Sequence, residues 1–369
     1  MPGTAVAANL KRIRTARGLT MERAAEAAGI SRMAYHNIEK GIAEPRVGSL
    51  RNLANALQVK VVDLVRSIPE LRSVRFRALK WKSKKAKAQR EEIKNAVALW
   101  MRDFNDLESM LTENKRVKFA LQIEKLGRGS KAAQNAAQEA RKRFHLDEDE
   151  VISDICGFVE SVGIKLHFID MGLDDFFGLS VNDEKLGAAI IVNTHASKNA
   201  ERKIFTIAHE LGHILMHPTS FNDDEKEIEE QETEANVFAS YFLMSQKAFN
   251  KKLEEVKGLN LVEAILHIKR VFKVSYKTVI IRLIEEGIVD DSIWKGFNIR
   301  YKQKDHTFDF KGHKEPEPLA DIDCIEDRLS RLVREALEKD LISISRAAEI
   351  LNKKIEEMRE LIDGWMAVK

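Results

Sequence analysis

Residues 205–217 read Phe-Thr-Ile-Ala-His-Glu-Leu-Gly-His-Ile-Leu-Met-His, an H-E-x-x-H pattern in an apolar helical background. His209 and His213 stand four residues apart. At about 3.6 residues per turn, positions i and i+4 share one face of a helix, so two neutral imidazoles can reach the same divalent ion. Glu210 follows the first of them, where a carboxylate can hold a metal-activated water; this is the metalloprotease reading of the pattern. The plainer alternative is a surface helix with solvated His and Glu. The neighbours argue against it: Ile204, Phe205, Ile207, Ala208, Leu211, Ile214 and Leu215 predict a buried helix, and buried ionisable groups need partners. Gly212 costs about 1 kcal/mol relative to Ala in a helix, which makes sense if another group approaches the backbone there.

A catalytic zinc takes three protein ligands and keeps a position for water. Downstream, Asn222–Glu234 holds eight carboxylates and one Lys and runs into Ala235–Met244, a predicted helix. Glu229, Glu230, Glu232 and Glu234 are therefore the candidates for a third ligand. The stretch Glu232-Thr-Glu-Ala-Asn-Val-Phe-Ala resembles the E-x-x-A-N-x-F-A signature of the ImmA/IrrE metallopeptidase family, as do Phe205–His217 and the preceding Ile190-Ile-Val-Asn. This resemblance spans residues 145–285. It implies a zincin-like domain with a small sheet, a metal held by His209, His213 and Glu232 with Glu234 as fallback, and Glu210 as the catalytic base. Zinc is the default ion, and a two-His, one-Glu set also suits manganese or iron. His217 shares the helix face by spacing. It lies eight residues from His209, more than about 10 Å along the axis, and is not expected to bind the same ion. His167 and His195 read as ordinary polar residues.

The net charge is only +3, but it is unevenly spread. Residues 1–90 hold 20 Lys and Arg against 6 Asp and Glu, whereas residues 91–369 hold 41 against 52. A basic end on an acidic remainder suggests nucleic acid bound at one end. That end also carries a helix-turn-helix layout. Thr20 is placed to cap a helix with Ala24, Ala25 and Ala28, which stops at Gly29. Ser31 caps the next, Arg32–Lys40, which ends at Gly41, and a fourth helix carries Leu50, Leu53, Ala54 and Leu57. The line from Leu19-Thr20 through Ala28-Gly29-Ile30-Ser31, Ile38-Glu39-Lys40-Gly41 and Pro45 to Leu57 resembles the Xre, or lambda-repressor-like, DNA-binding family over residues 9–66. The resemblance places the third helix in the major groove, with Arg32, Met33 and Asn37 at base edges and His36 close by. Arg suits guanine, Asn suits adenine, and Met offers apolar contact. Met21 departs from the family, which often has Gln there to help fix a phosphate. The basic run Arg72–Arg90 is expected to add phosphate contacts.

The remainder frames these two regions. Trp81–Ile93 and the apolar positions from Ile93 to Leu107 predict an amphipathic helix. Val151–Val162 reads as a helix, and Ile164–Ile169, Phe177–Val181 and Ala188–Val192 read as strands. Phe272–Leu283 looks like the small helical turn that closes the metallopeptidase domain, and Leu341–Leu351 repeats a helix-turn-helix-like pattern without a basic excess. The expected organisation is an α+β, mostly helical chain: a helix-turn-helix domain at 1–68, a helical packing segment at 69–143, a metallopeptidase domain at 144–290 and a C-terminal helical region at 291–369. Two cysteines, Cys156 and Cys324, exclude a disulfide framework and read as buried thiols. With no apolar run of transmembrane length and no apolar signal segment, the expectation is a cytoplasmic protein with no membrane partner. The two resemblances together imply a regulator that binds operator DNA, favour a homodimer, and point to zinc-dependent cleavage of a protein such as an Xre-type repressor or a toxin–antitoxin partner, in a stress response. The rival expectation is a transcription factor whose metal domain senses a ligand or binds a partner without cleaving; a third is an antitoxin.

Overall fold

The computed structural model describes residues 2–66, 69, 71, 73–76, 84–111, 119, 123, 127–174, 176–218, 221, 229–310 and 314–366. In chain order the helices are α1 (Pro2–Ala16), α2 (Met21–Ala27), α3 (Arg32–Glu39), α4 (Val47–Ala56), α5 (Val61–Val65), α6 (Lys84–Leu111), α7 (Ser130–Arg143), α8 (Ile155–Ser161), α9 (Ala200–Met216) and α10 (Glu229–Leu243). They continue with α11 (Gln246–Glu255), α12 (Leu261–Phe272), α13 (Tyr276–Glu285), α14 (Ser292–Lys304), α15 (Arg328–Glu338), α16 (Ile344–Ile350) and α17 (Ile355–Met366). Four strands, β1 (Val74–Phe76), β2 (Lys165–Ile169), β3 (Gly178–Asp183) and β4 (Gly187–Asn193), form one sheet. The fold is thus mostly helical α+β, as the sequence predicts. Packing divides the chain into two compact units: one drawn from residues 1–70, 94–116 and 327–369, the other from 71–93 and 117–326.

In the first unit the helix-turn-helix forms where its caps predict. The Thr20 hydroxyl accepts from the Arg23 N–H at 3.3 Å, and the Ser31 hydroxyl from the Ala34 N–H at 3.1 Å. Each such cap satisfies a donor that the first helical turn leaves open. Leu10, Ile13, Ala24, Tyr35, Ile38, Leu53 and Leu57 share one core. The Arg14 guanidinium clasps the Glu39 carboxylate with two bonds, at 2.8 and 2.9 Å, tying α3 to α1. The C-terminal helices join this unit through charge. Arg346 of α16 pairs with Asp103 of α6 at 2.8 Å and with Glu349 at 2.8 Å, and Glu349 in turn takes Arg12 of α1.

The second unit is built around the sheet, in the order β1-β3-β4-β2. β3 and β4 pair antiparallel, β2 runs parallel to β4, and β1 runs antiparallel to β3 with Arg75 opposite Ser180. Ile204, Ile207, Leu211, Phe238 and Phe242 share one buried cluster, in which α9 packs on β3 and β4 and α10 packs on α9. Gly212 permits this last contact. A Cβ there would stand 2.9 Å from Phe238 Cδ1 and 3.1 Å from its Cγ, so the close approach inferred from the glycine is made by an aromatic ring of α10. Cys156 and Cys324 are buried free thiols with Sγ atoms 3.5 Å apart. Among the described residues no helix is long and apolar enough to cross a membrane.

Three expectations change. The helix predicted from Val151 begins at Ile155, because the Asp154 carboxylate caps it on the Gly157 N–H at 2.9 Å. The helix predicted from Ala235 begins at Glu229, so the end of the acidic run is helical; residues 222–228 lie outside the described residues. The basic run Arg72–Arg90 loses one expected phosphate contact. Arg75 is buried in the second unit on β1, while Arg72 and residues 77–83 lie outside the described residues.

A buried ionic knot fastens the segment before α15. The Lys269 ammonium and Glu201 carboxylate, both fully buried, meet at 2.6 Å; Lys269 also donates to the Glu317 carbonyl, and the Leu319 N–H donates to Glu201. Glu315 accepts the Tyr276 N–H at 2.6 Å. Burial pushes the Glu315 carboxyl up to about 7, against the opposing pull of that N–H and of Lys269. A carboxyl whose folded pKa lies above its unfolded one stabilises the fold at low pH, and loses that contribution as pH rises through the folded value. Glu315→Gln is therefore expected to melt higher than the wild type at pH 8, with the gap closing towards pH 5; thermal melts at both pH values check this, and an equal gap at both would contradict it. Gly212→Ala is expected to destabilise the protein by about 1–3 kcal/mol through overpacking against Phe238, in spite of the better helix propensity of Ala. Denaturant unfolding measures it, and a neutral or stabilising change would show that α10 is free to move away.

Candidate metal centre

The packing of α10 on α9 brings three side chains from the two helices to one point. His209 and His213 Nε2 stand 3.0 Å apart. Glu232 places Oε2 at 3.2 Å from His209 Nε2 and Oε1 at 3.1 Å from His213 Nε2. These three donors form the one His/Cys/Asp/Glu cluster of metal-binding dimensions among the described residues. Ligands at about 2.0–2.1 Å from a tetrahedral zinc stand a little over 3 Å from one another, so the spacing fits a single ion. The donor chemistry fits as well. Two imidazole nitrogens at hydrogen-bond distance, both facing one carboxylate, are best satisfied by a shared cation.

Their remaining atoms are held from behind. The Asn236 amide oxygen faces His209 Nδ1 at 3.0 Å; since an amide oxygen only accepts, Nδ1 carries the proton and Nε2 presents its lone pair. His213 Nδ1 lies 3.0 Å from His217 Nδ1, and His217 Nε2 lies 2.9 Å from Glu234 Oε2. Glu234 Oε1 accepts the Gly129 N–H at 2.6 Å. The chain Gly129–Glu234–His217–His213 thus fixes the ring of the second imidazole. Such outer partners orient metal-binding histidines and raise their basicity. Arg75 donates at 3.1 Å to Glu232 Oε1, the oxygen that also faces His213, and reaches Gln231 at 2.6 Å.

Electrostatics favour the protonation states a metal needs. Burial pushes His213 well below the ordinary imidazole value; the Glu232 contact opposes this, and His209 and Arg75 add to it. Burial raises the Glu232 carboxyl, but the hydrogen bonds and charge of His209 and His213 outweigh it and hold the group well below the usual carboxylate range. Glu210 is fully buried and points beside β3. A Cβ on Gly178 would stand 2.8 Å from the Ile191 carbonyl oxygen and 3.6 Å from Glu210 Oε1, so glycine keeps that space open.

The structure thus brings together His209, His213 and Glu232, with Glu210 on the same helix, and turns Glu234 away to His217. The sequence reading passed over Asn236, Arg75 and the supporting role of His217 and Glu234. Asn236 was within reach, since it follows Glu232 by four residues on α10 and so shares its face. Arg75 carried no signal, being one cation in a basic run. In the first unit, Arg32 and Met33 are exposed on α3, and His36 and Asn37 are half-buried on the same face, while Tyr35, Ile38 and Glu39 turn inward. Arg32 pairs with Glu22 across the surface at 2.5 Å.

Residues 159–283 match the family model described as the IrrE N-terminal-like domain, and residues 10–64 match the helix-turn-helix family model. No curated protein matches the chain. These matches agree with the fold of each region and with the geometry around His209, and together they show a chain that joins an Xre-like helix-turn-helix domain to an IrrE/ImmA-like metallopeptidase-family domain.

Proposed function

We propose that this protein is a DNA-binding transcriptional regulator whose second unit is a zinc-dependent endopeptidase acting on a specific protein. The observation that carries the peptidase reading is the convergence of His209, His213 and Glu232, with Glu210 buried on the same helix. In this reading His209, His213 and Glu232 would hold the ion, and when bound it would supply Lewis-acid polarisation of a peptide carbonyl and a water acidic enough to attack near neutral pH. Glu210 takes the proton of the attacking water and returns it to the leaving amine. Asn236 fixes one imidazole and the His217–Glu234 pair fixes the other. The substrate class implied by the family resemblance is an Xre-type repressor or a toxin–antitoxin partner, in the cytoplasm.

In the first unit α3 is the recognition helix. Its exposed face offers Arg32 and Met33, with His36 and Asn37 beside them, and Arg32 leaves Glu22 to engage a base. A homodimer would set two such helices on half-sites about one DNA turn apart.

The peptidase reading is tested by incubating wild type and Glu210→Gln with host lysate and mapping new protein termini, with bound metal measured on both. Wild type should generate defined termini, and the variant should keep its metal while losing cleavage by about a hundredfold or more. Stoichiometric metal with no new termini in either sample would instead favour a non-cleaving sensor. For DNA, an operator selected from random duplexes should bind Asn37→Ala and Arg32→Ala about 1–3 kcal/mol more weakly each, with relaxed choice at one base position. Unchanged affinity and sequence preference in both would remove α3 from the interface.

A further inference from the structure

The edge of the sheet beside the candidate metal centre is filled by a piece of chain from well upstream. Among the described residues the strand order is β1-β3-β4-β2, so β3 is an inner strand only because β1 lies against it. The family match begins at residue 159 and takes in β2, β3, β4, α9 and α10, whereas β1 ends at Phe76. Without β1, the outer rim of β3 would present unpaired N–H and C=O groups. Such a rim is the template on which an extended peptide adds as a further strand. This one borders the centre. Helix α9 packs on β3, and a Cβ at the first residue of β3, Gly178, would stand 3.6 Å from Glu210 Oε1.

β1 lies on this rim as an added peptide would. It runs antiparallel to β3 with Val74 opposite Val181 and Arg75 opposite Ser180, and the Ser73 carbonyl accepts the Asn182 N–H at 3.1 Å. From β1 the buried Arg75 side chain donates to Glu232 Oε1 at 3.1 Å and to Gln231 Oε1 at 2.6 Å. An extended segment on this edge therefore reaches a donor of the candidate centre, on the oxygen that also faces His213. The hold is short. β1 pairs over three residues, against a usual strand length of about five or six, so a second peptide of the same chemistry can compete with it.

We propose that β1 is an internal plug: it occupies the lane along β3 that a peptide substrate takes, and it leaves β3 when that substrate enters. The plug also indicates the substrate class, an extended segment with a cationic side chain, arginine or lysine, where Arg75 now meets Gln231 and Glu232. The first turn of α10 is acidic, with Glu229, Glu230 and Glu232, and this favours the same charge. The consequence for cleavage rests on the peptidase reading given above, whereas the exchange of one strand for another does not.

The test staples β1 to β3 in the full chain. The bond from Asn182 to Ser73 makes Val74 and Val181 a non-hydrogen-bonded pair, in which Cα atoms stand about 4.5 Å apart and a disulfide can form. The double variant Val74→Cys, Val181→Cys is oxidised, or reduced with a phosphine, and the wild type passes through the same treatments. A labelled peptide copying residues 71–78 is titrated into metal-free protein and read by fluorescence anisotropy. Reduced double variant should bind it, and the oxidised form should show no saturation up to about 1 mM. Arg75→Ala, whose plug has lost its side-chain hold, should bind it about tenfold more tightly than the wild type. A peptide with alanine in place of Arg75 should bind that variant about tenfold more weakly than the parent peptide does. Equal binding by the oxidised and reduced staple, or no binding by either the reduced staple or Arg75→Ala, would overturn the plug. Equal binding of the two peptides would overturn the cationic preference. On zinc-loaded protein in host lysate, oxidising the staple should suppress the new termini that the reduced form generates, and equal termini from both forms would overturn the plug. No new termini from any form would count against the peptidase reading, and would leave the strand exchange standing on the binding result.

Discussion

The close approach of α10 to α9 at Gly212 is the constraint on which the centre depends. The H-E-x-x-H helix by itself supplies two imidazoles and a carboxylate on one element. A third donor has to arrive from another helix, and Glu232 does so at hydrogen-bond distance from both rings. The Phe238 ring occupies the space a side chain at position 212 would need, and Glu232 and Asn236 lie on the same helix as that ring. One packing contact therefore sets both the third candidate donor and the group that faces His209 Nδ1. Stacking of Phe238 on Phe242, with centroids 5.4 Å apart, continues the same face into the core.

Around this contact the site is held by polar groups drawn from distant parts of the chain. Gly129 fixes Glu234, Glu234 fixes His217, and His217 fixes His213. Arg75 reaches Glu232 Oε1 from β1, itself paired to β3. Hydrogen bonds to charged groups are stronger than neutral ones, about 1.5–3 kcal/mol each, and a network of them leaves the ligands little freedom to reorganise. That suits a metal centre, where preformed geometry favours the intended coordination.

Much of this was legible in the residues. The period of apolar positions predicted α9, and the caps Thr20 and Ser31 predicted the helix-turn-helix, because both signals are local. Gly212 announced a close contact without naming the partner. Glu232 could be singled out from three other glutamates only by family resemblance, since spacing alone left all four open. The role of Arg75 and the docking of the C-terminal helices were not legible. Arg75 sits in a run of cations whose plain reading is a solvated or phosphate-binding surface, and its pairing with Glu232 depends on a three-residue strand too short to show a period. Arg346 and Glu349 join α16 to α6 and α1 over more than two hundred residues of chain, and no local pattern encodes such an association. At the start of α8, apolar residues at 151 and 152 extend the helical pattern past the cap at Asp154, and the cap decides where the helix begins.

The central claim is that Glu232, with His209 and His213, completes a one-ion centre while Glu234 supports it from behind. X-ray absorption at the zinc edge on zinc-loaded wild type, Glu232→Gln and Glu234→Gln tests it most directly. The account predicts one zinc with two imidazoles and oxygen donors at about 2.0–2.1 Å in the wild type, a first shell preserved in Glu234→Gln, and an altered or lost shell in Glu232→Gln. A shell that changes in Glu234→Gln and persists in Glu232→Gln would contradict it.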